Sequence, residues 1–141
     1  MKKLITMLFS FAIIASMTVL SSCGGAPSNE EVHKIIDKYE ENKKSLTEKD
    51  YDMLVDYTVA AVSESIPIQK EVAKAKKDCD DDQIEKKYKK IDELRHKKYK
   101  YIYQVQQVLF DSKDYEMGKA NCKRIEDLKE KCDKEEVSYY L

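Results

Sequence analysis

Residues 51–79 read YDMLVDYTVAAVSESIPIQKEVAKAKKDC, and this stretch decides the fold class. Its small and apolar residues recur at steps of three and four, which places them on one face of a helix. This face consists of Leu54, Thr58, Ala61, Ser65, Ile68, Val72, Ala75 and Cys79. Pro67 removes one helical hydrogen bond, but the apolar phase continues across it, which favours one kinked helix of about 30 residues. A break near residues 63–67 is the alternative.

Segments on both sides of this stretch also have a helical period. Ser28 or Asn29 can cap a first helix, Thr47 can cap the long one, and Asp81 or Asp82 can cap the next. Apolar residues then continue at helical spacing to Leu109, and after a turn at residues 111–112 from Tyr115 to Cys132. Residues 99–105 alternate at period two, as a strand does, but helical segments surround them, so helix is favoured.

Glycine and proline are too few for a fold made of tight hairpins, since the chain has only three glycines and two prolines. The sequence therefore predicts an all-α protein. We expect an antiparallel bundle of three long helices, with the first segment as a fourth, shorter N-terminal helix. Residues 30–141 would form this single helical domain.

The N-terminal residues have the pattern of an export signal. Lys2 and Lys3 precede an apolar run over residues 4–20 that contains no acidic residue. A membrane-spanning helix is the alternative, because the run is close to the minimum length of roughly 17 residues for crossing a bilayer.

The segment Leu20-Ser21-Ser22-Cys23 resembles the lipobox of bacterial lipoproteins. The resemblance implies that residues 1–22 are a signal peptide that is removed, that the Cys23 sulfur receives a diacylglyceryl group, and that fatty acids such as palmitate acylate the new N-terminus. Residues 23–29 would then be the acylated cysteine and a short tether. In a Gram-negative source, Gly24 after the cysteine resembles lipoproteins sent to the outer membrane, with the leaflet open.

Charged residues make up 38% of the chain, and loss of Lys2 and Lys3 changes the net charge from −1 to −3. This balance gives no reason to expect nucleic acid as a partner. Residues 82–100 carry the largest local excess of positive charge. The basic residues there are Lys86, Lys87, Lys89, Lys90, Arg95, Lys97, Lys98 and Lys100. This basic segment could bind anionic lipid headgroups, an acidic polysaccharide or an acidic protein; the alternative is that it only solvates a helix.

If Cys23 is acylated, three thiols remain, and an exported compartment permits disulfides. Cys122 and Cys132 would be about 15 Å apart on one helix, beyond the roughly 7 Å limit between bridged Cα atoms. Antiparallel packing of the last two helices places Cys132 nearer to Cys79. The sequence thus favours a Cys79–Cys132 disulfide, with Cys79–Cys122 or three reduced thiols as alternatives.

No motif points to a metal, a cofactor or catalysis. Asp78, Asp80 and Asp82 match the first ligands of a calcium loop, but Gln83 and Lys89 stand where that loop needs glycine and glutamate. We therefore expect a non-catalytic, lipid-anchored cell-envelope protein that binds or scaffolds another protein of the envelope through a helix face. The alternative is a bundle that holds a small apolar ligand or lipid in its core.

Overall fold

The computed structural model describes residues 25–141, and within this range the regular structure is entirely helical. The all-α prediction is confirmed. The elements are α1 (Asn29–Glu41), α2 (Glu48–Lys77), α3 (Asp81–Glu93), a π-helical turn (Leu94–Lys98), α4 (Ile102–Asp111), α5 (Asp114–Met117) and α6 (Lys119–Lys134). The predicted signal peptide and the acylation of Cys23 lie outside the described residues.

Helix α2 is a single helix of 30 residues that contains Pro67, which confirms the favoured prediction of one helix, and the alternative break near residues 63–67 does not occur. Its start is fixed by a capping box, in which Thr47 Oγ1 accepts from the Asp50 N–H at 3.3 Å. The Asp50 carboxylate accepts from the Thr47 N–H in return, at 2.7 Å. Two of the backbone donors exposed at this helix end are thereby satisfied.

Every other long segment packs against α2, and side-chain pairs show the directions. On α3 and the turns after it, Tyr88 and Lys98 pair with Lys76 and Glu64 of α2 in reverse order, so the two segments are antiparallel. On α6, Asn121 and Glu135 pair with Asp52 and Lys70 of α2 in the same order, so α6 runs parallel to α2.

The structure has one long helix where the sequence predicted three. The predicted helix between residues 82 and 109 is interrupted by the π-helical turn and by a turn at residues 99–101. The predicted last helix is divided at Gly118, whose φ is +83°. A Cβ atom at Gly118 would lie 3.1 Å from Glu48 Oε1, so the glycine lets this break approach the start of α2.

Helices α2 and α6 end in Schellman turns. In such a turn, the N–H of a left-handed residue and the N–H of the next residue donate to carbonyl groups of the last helical turn. At the end of α2 that residue is Cys79, with φ +52°. The N–H groups of Cys79 and Asp80 donate to Lys76 and Ala75. Asp80, and not the predicted Asp81 or Asp82, then caps α3 by accepting from the Gln83 N–H at 3.0 Å.

We expect Cys79→Gly to raise the free energy of unfolding by about 0.5–1 kcal/mol, because glycine adopts the left-handed conformation without the clash of a Cβ atom. Urea unfolding followed by circular dichroism measures this. Cys79→Ala is the matched control, since it removes the thiol and keeps the strain, and it should change stability by less than about 0.5 kcal/mol. A glycine variant that is less stable than the alanine variant would contradict the left-handed turn.

Candidate functional site

The predicted basic segment extends along α3 and the π-helical turn, and half of its charges are paired with carboxylates. Lys87 pairs with Glu71 and Lys98 with Glu64. Arg95 and Lys97 make longer contacts to residues of their own helical stretch, at 3.9 and 3.5 Å. The hydrogen bond and charge of Lys87 lower the pKa of Glu71. Carboxylates therefore neutralise half of the basic side chains on this side of the molecule.

The four remaining basic side chains of the segment are exposed. They are Lys86, Lys89, Lys90 and Lys100. The Lys100 ammonium lies 5.5 Å from the centre of the Tyr101 ring, which suits a cation–π contact. Binding of an anionic partner by this set stays a prediction.

A hydrogen-bond network fixes the start of α1 against the turn at residues 99–101. Asn29 Oδ1 accepts from the Tyr57 hydroxyl and from the Lys100 N–H, the latter at 3.2 Å. The Tyr57 oxygen accepts from the Tyr101 N–H at 3.3 Å. Burial raises the pKa of Tyr57 to about 12, so it remains a hydrogen-bond donor at neutral pH.

Tyr99, beside this network, is also a donor and not a base. Its hydroxyl lies 2.8 Å from Glu64 Oε2. Burial and this neighbouring carboxylate raise the pKa of Tyr99. Burial of Glu64 opposes its ionisation, but hydrogen bonds from Lys98 and Tyr99 keep the pKa of Glu64 below its usual value. The network joins α1 to α2 and to the turn before α4, and its hydrogen bonds hold these three segments together.

The predicted Cys79–Cys132 disulfide is absent, and the three thiols in the described part of the chain are separate. Cys132 is buried in a cluster with Val62 and Ile66 of α2. Ile66 and Cys79 lie 13 residues apart on α2 and the turn that ends it, or about 20 Å at 1.5 Å per residue. The prediction was wrong because the position of α6 is set by its contacts with α2 and not by the turn at residue 111.

The thiols of Cys122 and Cys132 have no feature of an activated nucleophile. Burial raises the pKa of Cys132, and burial together with Asp114 raises the pKa of Cys122. Cys122 lines an open surface groove of about 440 Å³ between α5 and α6. Reactive cysteines instead have a lowered pKa.

Metal-ligating residues are not gathered within residues 25–141, where no group of three His, Cys, Asp or Glu side chains comes together. Asp80, one of the three aspartates that match the first ligands of a calcium loop, caps the start of α3.

A surface that the sequence reasoning did not single out lies on the outer side of α4. Tyr103 and Phe110 project there with 64% and 69% of their surface exposed, although both are large and aromatic. Gln107 lies between them at helical spacing and is exposed as well. We call Tyr103, Gln107 and Phe110 the α4 outer face.

A sequence signal for the α4 outer face was available. Residues 102–110 contain no charged residue, in a chain in which 38% of residues are charged. Five of these nine residues are buried, and burial explains the lack of charge on only one side of the helix. The uncharged composition of the exposed side is the feature that distinguishes α4 from the charged outer surfaces of the other helices.

Comparison with known proteins gives no relative: no family model, no curated protein and no solved structure matches this chain. Among the helices of residues 25–141, none has both the length and the apolar character required to span a bilayer.

We expect the thiols to differ in reactivity because they differ in exposure. In the folded domain, Ellman's reagent at pH 8 should label exposed Cys79 quickly, partly exposed Cys122 more slowly, and buried Cys132 only after denaturation. Cys79→Ala should remove the fast phase alone. A non-reduced digest containing a Cys79–Cys132 peptide would contradict the register of α6 on α2.

Proposed function

We propose that this protein is a non-catalytic, lipid-anchored component of a bacterial cell envelope that binds another envelope protein through the α4 outer face. The observation that carries this proposal is the exposure of Tyr103 and Phe110 on an uncharged helix face. Aromatic residues are enriched and charged residues depleted at the centres of protein–protein interfaces. The paired charges elsewhere on the surface suit solvation better than recognition.

The lipid anchor rests on the lipobox-like segment that ends at Cys23. Its acyl chains would hold the protein on a membrane without a spanning helix. Helix α1 begins at Asn29, so the six intervening steps allow a tether of at most about 20 Å. Export and, in a Gram-negative source, delivery to the outer membrane follow from the same resemblance.

The start of α1, to which the tether connects, lies near the start of α4. Asn29 Nδ2 donates to the Lys97 carbonyl oxygen at 3.4 Å, and Asn29 Oδ1 accepts from Lys100. The tether therefore reaches the domain beside the turn that leads into α4. Tyr103 is close to this end of the helix, and Phe110 lies about 10 Å farther along it. A partner on this face would be bound close to the membrane.

We expect Cys23→Ala to abolish acylation and membrane attachment, because the thiol that accepts the diacylglyceryl group is lost. The measurements are metabolic labelling with a clickable palmitate analogue and membrane fractionation after a carbonate wash. Cys79→Ala is the matched control and should remain labelled and membrane-bound. A Cys23→Ala protein that resists the carbonate wash would instead support the spanning-helix alternative.

We expect a photo-crosslinking amino acid at position 110 to capture one defined protein in intact cells. The same probe at exposed position 131, on the charged surface of α6, is the matched control and should not capture it. A second variant carries the probe at position 103 together with Phe110→Lys. It should capture the partner at least tenfold less than the probe at position 103 does when Phe110 is retained.

Because Phe110 is exposed, Phe110→Lys should change the free energy of unfolding by less than about 0.5 kcal/mol. Equal capture from positions 110 and 131, or capture that Phe110→Lys leaves unchanged, would show that the α4 outer face is not the binding surface.

A further inference from the structure

The last five residues of the chain, Val137–Leu141, lie along the helices in an alternating pattern, and we call them the tail. Val137, Tyr139 and Leu141 pack against the buried clusters, whereas Ser138 and Tyr140 are exposed. Burial therefore alternates along the tail, although its backbone bends at Tyr139, where Ser138 Oγ accepts from the Tyr140 N–H at 3.1 Å and donates to the Tyr140 carbonyl oxygen at 2.9 Å. The groove that holds the tail is formed by α2, α4 and α6, and Ile66, Leu128 and Cys132 contribute apolar side chains to its floor.

Two glutamine side chains, one on α2 and one on α4, form hydrogen bonds with the backbone of the tail. Gln69 Oε1 accepts from the Ser138 N–H at 2.8 Å, and its Nε2 donates to the Ser138 carbonyl oxygen at 2.9 Å. Gln106 Oε1 accepts from the Leu141 N–H at 3.3 Å, and its Nε2 donates to the Tyr139 carbonyl oxygen at 2.8 Å. These contacts are made to backbone groups of the tail and not to a particular side chain.

Gln106 gives the strongest indication of the ligand class. It is only 2% exposed, so its amide depends on the tail backbone for the partners that a buried polar group requires. A chain that replaced the tail would have to supply a carbonyl oxygen and an N–H two residues apart. It would also need apolar side chains at alternating positions, as Val137, Tyr139 and Leu141 are in the tail.

We propose that the groove between α2, α4 and α6 is a binding site for a short peptide of a partner protein that adopts the conformation of the tail, with apolar residues at alternating positions and polar residues between them. The tail occupies this site in cis and competes with the partner. This site is separate from the α4 outer face, and the proposal does not depend on the function of that face.

The tail follows α6 through the Schellman turn that ends this helix. Glu136 is in the left-handed conformation at φ +54°, which a residue other than glycine adopts at a cost. Exchange with a second copy is less suitable, because five residues reach at most about 17 Å and would bring two α6 ends together. Each of those ends carries Lys131 and Lys134. Like charges would oppose that approach.

The test uses a chain that stops after Glu136 and a fluorescent peptide with the sequence of residues 137–141, VSYYL. Fluorescence anisotropy should show saturable binding to the shortened chain and at least tenfold weaker binding to the full chain, whose own tail competes. Gln106→Leu in the shortened chain should weaken binding at least tenfold. A peptide with serine in place of the Val137, Tyr139 and Leu141 side chains should bind at least tenfold more weakly.

A full-length variant keeps the test valid if the shortened chain does not fold. Tyr139→Ala combined with Leu141→Ala removes two inward side chains, and this variant should bind the VSYYL peptide at least threefold more tightly than the unmodified chain. Circular dichroism checks that each variant is folded.

Four results would overturn the proposal. If the shortened chain folds but does not bind the peptide, the tail is a fixed part of the fold. If Gln106→Leu leaves binding unchanged, the peptide binds at another place. Unfolding of both the shortened chain and the double variant makes the tail an integral part of the core. A dimer of the full chain that the peptide dissociates, seen by light scattering, makes a second copy the occupant.

Discussion

The fold depends on how the two halves of α2 bury their side chains. In the first half, taken as the residues up to Ile66, buried residues cover a wide arc of the helix, and in the second half, beyond Pro67, only Val72 and Ala75 are buried. A helix buried on several sides requires several partners, whereas a narrow apolar stripe requires one. In the first half, Asp50 and Asp56 pair with α1 and α6. In the second half, Glu71 and Lys76 pair with side chains of α3, none of whose residues is buried.

This change along α2 also explains why the segment after α3 is interrupted. A straight continuation of α3 would remain suited to the narrow half of α2, but the wide half requires a partner that presents Ile102 and Val105 inward. The π-helical turn and the turn at residues 99–101 change the direction of the chain between these regions. Glu64 and Asn29 hold the new direction by hydrogen bonds to Tyr99 and Lys100.

Features that depend on residues close together in the sequence could be predicted from the sequence alone. The capping boxes begin with Ser28 and Thr47, and the apolar stripe of α2 continues across Pro67, so all three could be predicted locally. The interruption at residues 94–101 could not be predicted in this way, because it contains no glycine or proline and is held by Asn29, far away in the sequence. The disulfide prediction failed for the same reason, since a contact of α6 with α2 sets the position of Cys132.

Helix α4 has an exposed surface whose composition is not explained by the requirements of folding. Its inward residues, among them Val105 and Leu109, must be uncharged because they are buried. Tyr103 and Phe110 face water, where lysine or glutamate would solvate the helix and have a better helix propensity than aromatic residues. Exposed aromatic side chains gain little from folding, and they increase the risk of association. The composition of the α4 outer face therefore follows from neither burial nor helix formation, and the proposed binding of a partner protein would account for it.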